Sequence, residues 1–314
     1  MTPPRIVVFG GTGFVGQHLV PRLMRAGFHV IVPSRNRSLQ RDLFVLPQAQ
    51  VMNAAPYSPD DLRRVIDGAQ AVVNLVGILN ERGRDGAGFH RAHVELTEKI
   101  IAACQATGTR RLLQMSALNA GRGASHYLRT RGEAEARVKA SGLDWTIFQP
   151  SVIFGPGDGL FERFAALLKL APALPLARAH AKFAPVYVGD VTEAFARALA
   201  DAATIGQSYE LYGPQTLTLA EIVRYTARHL CLRRAVLPLP DVLARMQAAI
   251  FDFVPGKPFS TDNYLSLKMD SVGGIDGLHR LGIVPTPMDA IVPAQLGLRP
   301  RQRRYDSYRS ARSE

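Results

Sequence analysis

The first half of the chain alternates short, continuously apolar runs with longer segments whose apolar residues recur at helical spacing. Such alternation predicts βαβ units and a parallel sheet that helices cover on both faces. The predicted strands are Ile6–Phe9, Val30–Val32, Ala71–Leu75, Leu112–Met115 and Trp145–Phe148. The predicted helices are Val15–Ala26, Asp60–Ile66, His90–Ala106 and Tyr127–Ser141. We therefore expect an α/β protein with a Rossmann-type doubly wound parallel sheet over residues 1–150.

The pattern changes after Pro150, where proline and glycine separate shorter segments. This predicts a smaller C-terminal α/β lobe over residues 151–298, closing over the carboxyl ends of the strands, where ligands of such sheets bind. Within it, residues 185–204 have a strand pattern followed by a helix pattern, and we expect them to return to the first domain. Residues 299–314 are rich in arginine and serine, and are predicted to form a basic, mobile tail.

One helical pattern in the second lobe has an unusually apolar stripe. Over residues 241–254, Val242, Met246, Ile250 and Phe253 fall on one helical face. A stripe of this kind usually packs into the core, and we interpret it so. The alternative interpretation is contact with a membrane or a partner protein.

Composition narrows the class of protein. With 314 residues, 47% of them hydrophobic and 20% charged, the chain can bury a sizeable core. Its two cysteines, Cys104 and Cys231, are far apart and form no CxxC pair, which argues against a disulfide framework and a cysteine zinc site. The sequence has neither a signal-peptide profile nor an apolar run of a membrane span's length. We expect a cytoplasmic protein, at most peripheral on the inner face of a membrane.

The net charge of +12 raises the question of nucleic acid. Six arginines and two acidic residues in the last sixteen positions account for +4 of it, so the body is only moderately basic. No nucleic-acid motif accompanies the charge, and we expect no sequence-specific binding to DNA or RNA. His90 and His93 share a predicted helix without a third ligand at suitable spacing, so no metal site is predicted.

The strongest motif lies directly after the first strand. Gly10, Gly13 and Gly16 have the GxxGxxG spacing and open the first helix. In this context glycines allow a tight turn, close approach of the backbone to a pyrophosphate, and packing of the helix on the strand. Amide groups at a helix N-terminus then bind the phosphates. The predicted cofactor contacts in this turn are Gly10, Thr12, Gly13, Phe14, Val15 and Gly16.

The end of the second strand indicates which dinucleotide binds. An NAD site usually has a carboxylate there, whereas this chain has Ser34, Arg35 and Arg37. A hydroxyl and two guanidinium groups suit a 2′-phosphate, so NADP(H) is favoured over NAD(H). The alternative is that both arginines are solvated loop charges.

Several segments together resemble a known family. The motifs are the glycine turn, the stretch Asn74–Gly77, the YLRT segment with Gly132 and Glu133, the run PSVIFGPGD at 150–158, and PVYVGDV at 185–191. With Ser116–Leu118, FSTDN at 259–263 and MDSV at 269–272, the chain resembles the atypical, extended short-chain dehydrogenase/reductases of the epimerase/dehydratase type. Within them it is similar to the branch of the alpha-subcomplex accessory subunit nine of NADH:ubiquinone oxidoreductase. The resemblance covers residues 4–290.

The resemblance implies roles for particular residues. Active members use a tyrosine as acid or base, a lysine four residues later, and a serine or threonine that orients the substrate. Tyr127 matches the tyrosine, Arg131 stands at the lysine position, and Ser116 ends the strand, although many members have the hydroxyl where this chain has Ala117. Arg131 shares a helix face with Tyr127, but a guanidinium does not replace an ammonium. Further predicted cofactor contacts are Val76, Gly77, Tyr127, Arg131, Pro150 and Ile153.

Two functions follow from an intact cofactor turn beside an altered catalytic set. The favoured one is an NADP(H)-binding protein of the accessory-subunit type, weakly catalytic or non-catalytic and linked to respiratory or quinone metabolism. Its expected partners are the dinucleotide and a respiratory complex or membrane surface. The alternative is an active NADP-dependent oxidoreductase or epimerase that uses Tyr127 as acid or base, Arg131 as electrostatic activator and Ser116 as substrate orienter.

Overall fold

The computed structural model describes residues 3–35, 49–254 and 257–297. Arg37 and the predicted tail at 299–314 lie outside the described residues. The first domain is built around a seven-stranded sheet in which every neighbouring pair is parallel. Its strands are β1 (Arg5–Phe9), β2 (His29–Ser34), β3 (Ala49–Asn53), β4 (Ala71–Asn74), β5 (Arg111–Met115), β6 (Asp144–Pro150) and β11 (Gln207–Leu211). Their spatial order is β11-β6-β5-β4-β1-β2-β3, so the predicted Rossmann-type fold is confirmed.

Helices cover both faces of the sheet because its strands are apolar on both sides. Ile6 and Val8 belong to one buried hydrophobic cluster, while Val7 and Phe9 belong to the other. The helices of the first half are α1 (Phe14–Arg25), α2 (Pro59–Ile66), α3 (Ala87–His90), α4 (Leu96–Thr107) and α5 (His126–Lys139). A π-helical turn, Arg91–Glu95, joins α3 to α4, so the predicted helix His90–Ala106 is interrupted.

Two details of the sheet differ from the prediction. Strand β3 was not predicted, because in its sequence AQVMN only Val51 is fully buried, which suits an edge strand and leaves little apolar pattern. The strand expected after Pro185 does not join the main sheet, since Val186–Tyr187 (β10) pairs with Ile153–Phe154 (β7). The strand that does return to the main sheet is β11, which begins after residue 204 and pairs with β6. The two residues of β10 lead straight into a helix, so they cannot span the sheet.

The second lobe consists of short paired strands and helices with their own hydrophobic clusters. Its remaining strands are β8 (Ala173–Leu176), β9 (Lys182–Phe183), β12 (Leu217–Thr218) and β13 (Ala235–Pro238). The remaining helices are α6 (Phe161–Leu170), α7 (Val188–Ala200), α8 (Leu219–His229), α9 (Asp241–Phe251), α10 (Thr261–Ser266), α11 (Gly277–Arg280) and α12 (Met288–Gly297). Of these, α7 packs on α1 of the first domain.

The core-facing interpretation of the apolar stripe on α9 is wrong. Val242, Met246, Ile250 and Phe253 are all exposed, and the helix is instead buried through Ala244 and Ala248. Small residues on the inner side let the helix approach its neighbours closely, so the large residues point away from the protein.

Candidate nucleotide site

The predicted site residues come together at one edge of the sheet, because the strands are parallel and their carboxyl ends meet there. The glycine turn follows β1, which lies between β2 and β4 at the point where the strand order reverses. The other segments at this edge are Ser34 and Arg35 at β2, Val76 and Gly77 after β4, Ser116 after β5, and Pro150 at the end of β6. Tyr127 and Arg131 reach the edge from α5, and Ile153 lies in β7.

The glycine turn leaves no room for side chains. Gly10 has φ +76°, and a Cβ there would lie 3.1 Å from the backbone nitrogen of Val76. A Cβ on Gly16 would overlap the carbonyl oxygen of Gly10 and the backbone of Gly11. The helix therefore packs directly on the turn, and glycine is required for backbone conformation at one position and for space at the other.

No side chain caps the N-terminus of α1. Gly13 is the N-cap residue and supplies no capping side chain, and the first turn contains no acidic residue. The amide of Gly13 itself donates to the carbonyl of Gly10 (3.0 Å), which closes the turn. Uncapped amides and the positive end of a helix dipole are the features that bind phosphate groups.

A loop of the second lobe lies beside this turn. His18 of α1 bonds through Nε2 to the carbonyl of Pro156 (2.9 Å), and the Phe14 ring packs edge-on against His18. The loop keeps its shape through the buried carboxylate of Asp158, which accepts hydrogen bonds from the amides of Gly155 and Phe161. This is the turn chemistry expected for a short acidic side chain.

Arg91 packs on the ring of Tyr57 near the end of β2, where Arg35 lies. Arg35 is exposed at the end of β2. The Arg91 guanidinium lies 4.5 Å from the centre of the Tyr57 ring. Burial raises the pKa of Tyr57, and the positive charges of Arg91 and Arg35 act in the opposite direction. Arg91 was missed by the sequence analysis, because no pattern links residue 91 to the end of β2.

Arg131 is fixed by the protein rather than by Tyr127. Its Nη1 donates to the carbonyl of Met115 (3.0 Å), the last residue of β5, and to that of Val76 (3.3 Å), which follows the neighbouring β4. Its Cζ lies 5.5 Å from the centre of the Tyr127 ring. A Cβ on Gly77 would overlap the guanidinium, so the glycine after β4 makes room for the arginine.

Two buried polar atoms at this end have no protein partner among the described residues. They are Oγ of Ser116 and Nε of Arg131, and both residues are buried. A buried polar atom without a hydrogen bond is costly, by about 1–3 kcal/mol. The pair is therefore suited to polar groups of a bound ligand at the carboxyl edge.

His93 is buried near Arg131 and forms two hydrogen bonds. Its Nε2 accepts from the amide of Ile78 (3.3 Å), and its Nδ1 bonds to Oγ1 of Thr130 (2.9 Å). The first bond requires an unprotonated Nε2, so the ring is neutral with the proton on Nδ1. Burial, reinforced by the charge of Arg131, lowers the pKa of His93 to about 2. This histidine is a structural link between α5 and the segment after β4.

The second lobe holds the beginning of α5. Asp262 of α10 accepts from the amides of His126 (2.6 Å) and Tyr127 (3.2 Å), while Ser125 accepts from the amide of Leu128. Burial raises the pKa of Asp262. The role of Asp262 was missed because the acceptor and the helix are 135 residues apart in the sequence.

The residues present fit a dinucleotide. The glycine turn and the uncapped helix N-terminus suit the diphosphate. Arg35 follows β2, at the position that meets the 2′ group of the adenosine ribose in such folds. The unpaired atoms of Ser116 and Arg131 lie beyond the ends of β5 and β4, away from β2. Within the described part of the chain, no three His, Cys, Asp or Glu side chains are grouped as a metal site would need. No helix among residues 3–35, 49–254 and 257–297 is long and apolar enough to cross a bilayer.

Comparison with known proteins agrees with this geometry. A family model described as NAD(P)H-binding matches residues 10–160. The mitochondrial NADH dehydrogenase (ubiquinone) 1 alpha subcomplex subunit 9 of Arabidopsis thaliana is 32% identical over 279 residues, covering 85% of this chain and 68% of the relative. The chain belongs to the subunit 9 family. The subunit 9 of Rattus norvegicus is 29% identical over 292 residues, covering 90% of this chain and 77% of its own.

Membership of the subunit 9 family confirms the predicted resemblance and the NAD(P)-binding domain. Among solved structures, a dTDP-glucose 4,6-dehydratase of Streptomyces venezuelae with NAD bound superposes with a TM-score of 0.76 at 19% identity. The match covers 96% of this chain and 98% of that one. It shows that this chain shares the fold of that dehydratase.

Proposed function

We propose that this protein holds NADP(H) as an accessory protein of the subunit 9 type and turns the cofactor over slowly or not at all. The observation that carries the proposal is the position of Arg131. Its guanidinium is bonded to the carbonyls of Val76 and Met115, at the position where active relatives of the wider family have a lysine. A planar fork fixed to two strand ends is a structural brace, whereas catalysis needs a group free to bond ribose and substrate.

The preference for NADP(H) rests on charge at the adenosine end. Arg35 stands at the end of β2, where an NAD site would have a carboxylate, and its charge acts on Tyr57 together with that of Arg91. Guanidinium groups without a carboxylate at this position favour a phosphate over a ribose diol. Arg35 and Arg91 thus support NADP(H), the cofactor that Arg35 and Arg37 predicted from the sequence.

The partner we propose is a respiratory NADH:ubiquinone oxidoreductase, in whose assembly or support the protein would act. Similarity to subunit 9 of the mitochondrial NADH dehydrogenases of Arabidopsis thaliana and Rattus norvegicus motivates this partner. We expect the chain to work in the cytoplasm, peripherally on the inner face of a membrane. Cofactor retention would then serve to stabilise the fold, because a ligand that binds only the native state adds to its stability.

One observation favours an active NADP-dependent oxidoreductase or epimerase instead. Ser116 Oγ and Arg131 Nε are buried without protein partners in the described part of the chain, as substrate-orienting groups would be. In that case Tyr127 would donate or accept the proton, and the nicotinamide ring would supply the hydride chemistry.

Native purification tests both functions. We expect NADPH, identified by mass and absorbance after denaturation, to leave with the protein and to dissociate over hours. Tyr127→Phe should change the release rate by less than about twofold, because under this proposal the glycine turn and the adenosine contacts hold the cofactor and Tyr127 carries out no chemistry. Tyr212→Phe in the second lobe is the control. Bound NADH in place of NADPH would refute the cofactor preference, and turnover that Tyr127→Phe abolishes would establish the alternative.

A further inference from the structure

Helix α9 packs on the protein through small residues and presents large ones to the outside. Ala244 and Ala248 are fully buried beside Tyr264 and Ala177. The exposed large apolar residues of α9 and the turn after it are Val242, Leu243, Met246, Ile250, Phe253 and Val254, which we call the α9 patch. At about 100° per residue, the patch residues on the helix occupy the side opposite the two alanines. A helix on an ordinary protein surface has the reverse arrangement.

Such a surface needs an apolar neighbour. Val242 is 77% exposed and Phe253 is 72% exposed, so neither is covered by another part of the described chain. Scattered exposed apolar residues are common, but a contiguous group on one helix marks a contact surface.

Two arginines flank the α9 patch. Arg245 is exposed on the helix, and the Arg84 guanidinium lies 4.3 Å from the centre of the Phe253 ring. The acids nearby are engaged within the protein. Asp241 accepts from the hydroxyl of Tyr264 (2.7 Å), and Asp252 accepts from Thr261 (2.6 Å). Arg178 also pairs with Asp241 (3.4 Å) and compensates its charge. The rim therefore has two arginines, Arg245 and Arg84, against the one remaining carboxylate of Asp252.

From this arrangement we infer that the α9 patch docks on an anionic lipid bilayer, with α9 lying in the plane of the interface. The apolar residues enter the boundary between headgroups and acyl chains, and Arg245 and Arg84 meet lipid phosphates. The inference names the surface for the peripheral position included in the proposed function, and it rests on that position. It does not depend on the nucleotide or on turnover.

The docking surface adjoins the nucleotide site. Arg84 and Lys257 also line a cavity of about 80 Å³, together with His126 and Asp262 at the beginning of α5. Docking through the α9 patch would therefore place the beginning of α5, the helix that carries Tyr127, on the membrane-facing side of the protein.

Flotation of the full chain with vesicles tests the inference. We expect binding to vesicles that contain phosphatidylglycerol and little binding to pure phosphatidylcholine. The double variant Val242→Glu/Ile250→Glu should lower the bound fraction about tenfold or more, because two carboxylates would have to enter the apolar boundary. Val284→Glu is the matched control, since Val284 is 78% exposed between α11 and α12 and should change binding by less than about twofold. Unchanged thermal melting shows that each variant is folded.

A depth measurement separates docking by α9 from adsorption by charge alone. Phe253→Trp should show a blue-shifted emission with anionic vesicles and quenching by lipids brominated in the upper acyl chain, whereas Val284→Trp should show neither. Binding that the double variant leaves unchanged would overturn the inference, as would absence of binding to anionic vesicles. A concentration-dependent dimer that the double variant abolishes would also overturn it, in favour of a second copy of the chain. Identification of the nucleotide is a separate measurement, so either proposal can fail alone.

Discussion

The two ends of the nucleotide site differ in the groups that form them, which are backbone groups at one end and hydrogen-bonded side chains at the other. At the phosphate end, Gly13 exposes backbone, Gly16 lets α1 pack directly on the turn, and the beginning of α1 has no side-chain cap. At the other end, side chains are bonded to one another and to the backbone: Arg131 joins two strand ends, and His93 joins α5 to the segment after β4.

The difference suggests why binding and turnover can be separated in this fold. The phosphate end has groups that only a ligand can satisfy, so its chemistry serves binding. The other end is satisfied largely by the protein itself, except for the orphaned atoms of Ser116 and Arg131. Rigid bonding of the groups next to Tyr127 stabilises the site but restricts the movement of a charge towards a reacting atom.

The largest expected effect is at the phosphate end. Gly16→Ala places a Cβ onto the backbone of Gly10 and Gly11, so α1 must move away from the turn. We expect nucleotide affinity to fall at least about 100-fold and the free energy of unfolding to fall by about 1–3 kcal/mol. Calorimetric titration and chemical denaturation measure the two. Gly159→Ala is the control, because a Cβ there meets open space. Equal affinity in both variants would contradict the role of the turn.

Acidification should act on the other end through His93. The folded chain keeps this residue neutral down to a pKa of about 2, while the unfolded chain protonates it near 6.5. Stability is therefore lost as the pH falls below 6.5, by up to about 2.7 kcal/mol at about pH 4.5 from this group alone. Denaturation of His93→Asn across this range should show a shallower loss than the wild type.

The control for acidification is the exposed His90, whose replacement by Asn should leave the slope of stability against pH unchanged. Burial raises the pKa of Asp190 and Asp262, which opposes the histidine effect, so the difference between variant and wild type is the quantity to compare. A difference that does not change with pH would show that folding does not lower the pKa of His93.

Removal of the arginine brace should have an intermediate effect. Arg131→Met leaves the carbonyls of Val76 and Met115 without this donor, and we expect the free energy of unfolding to fall by about 1–3 kcal/mol. Arg129→Met on the exposed side of the same helix should cost less than about 1 kcal/mol, because its ion pair with Glu133 is on the surface. If both variants unfold at the same denaturant concentration, the brace is not structural.

The smallest effect concerns the choice of dinucleotide. Arg35→Ala should weaken NADPH by about tenfold, since it removes one charge-assisted bond, and should leave NADH nearly unchanged. Competition binding with both cofactors measures the ratio. Arg25→Ala, an exposed residue at the end of α1, should alter neither affinity. Equal losses for both cofactors would show that Arg35 contributes only general attraction.

Much of the fold was predictable because its signals are local. Continuous apolar runs identified five of the seven sheet strands, whereas β3 and β11 were missed. Strand β3 is a half-exposed edge strand, and β11 alternates polar and buried residues, so neither shows a continuous apolar run. The orientation of α9 was also predicted wrongly, because a helical stripe shows which residues share a face but not which face meets the protein.

The sequence by itself determined the phosphate-binding turn and the parallel sheet. Glycine spacing and apolar runs act over a few residues, and their conformational requirements hold in any surroundings. Only the tertiary structure decided that Arg131 bonds to two strand ends, that Asp262 caps the helix of Tyr127, and that α9 faces outward. These contacts join residues from different elements, up to 136 positions apart, and depend on how the lobes pack.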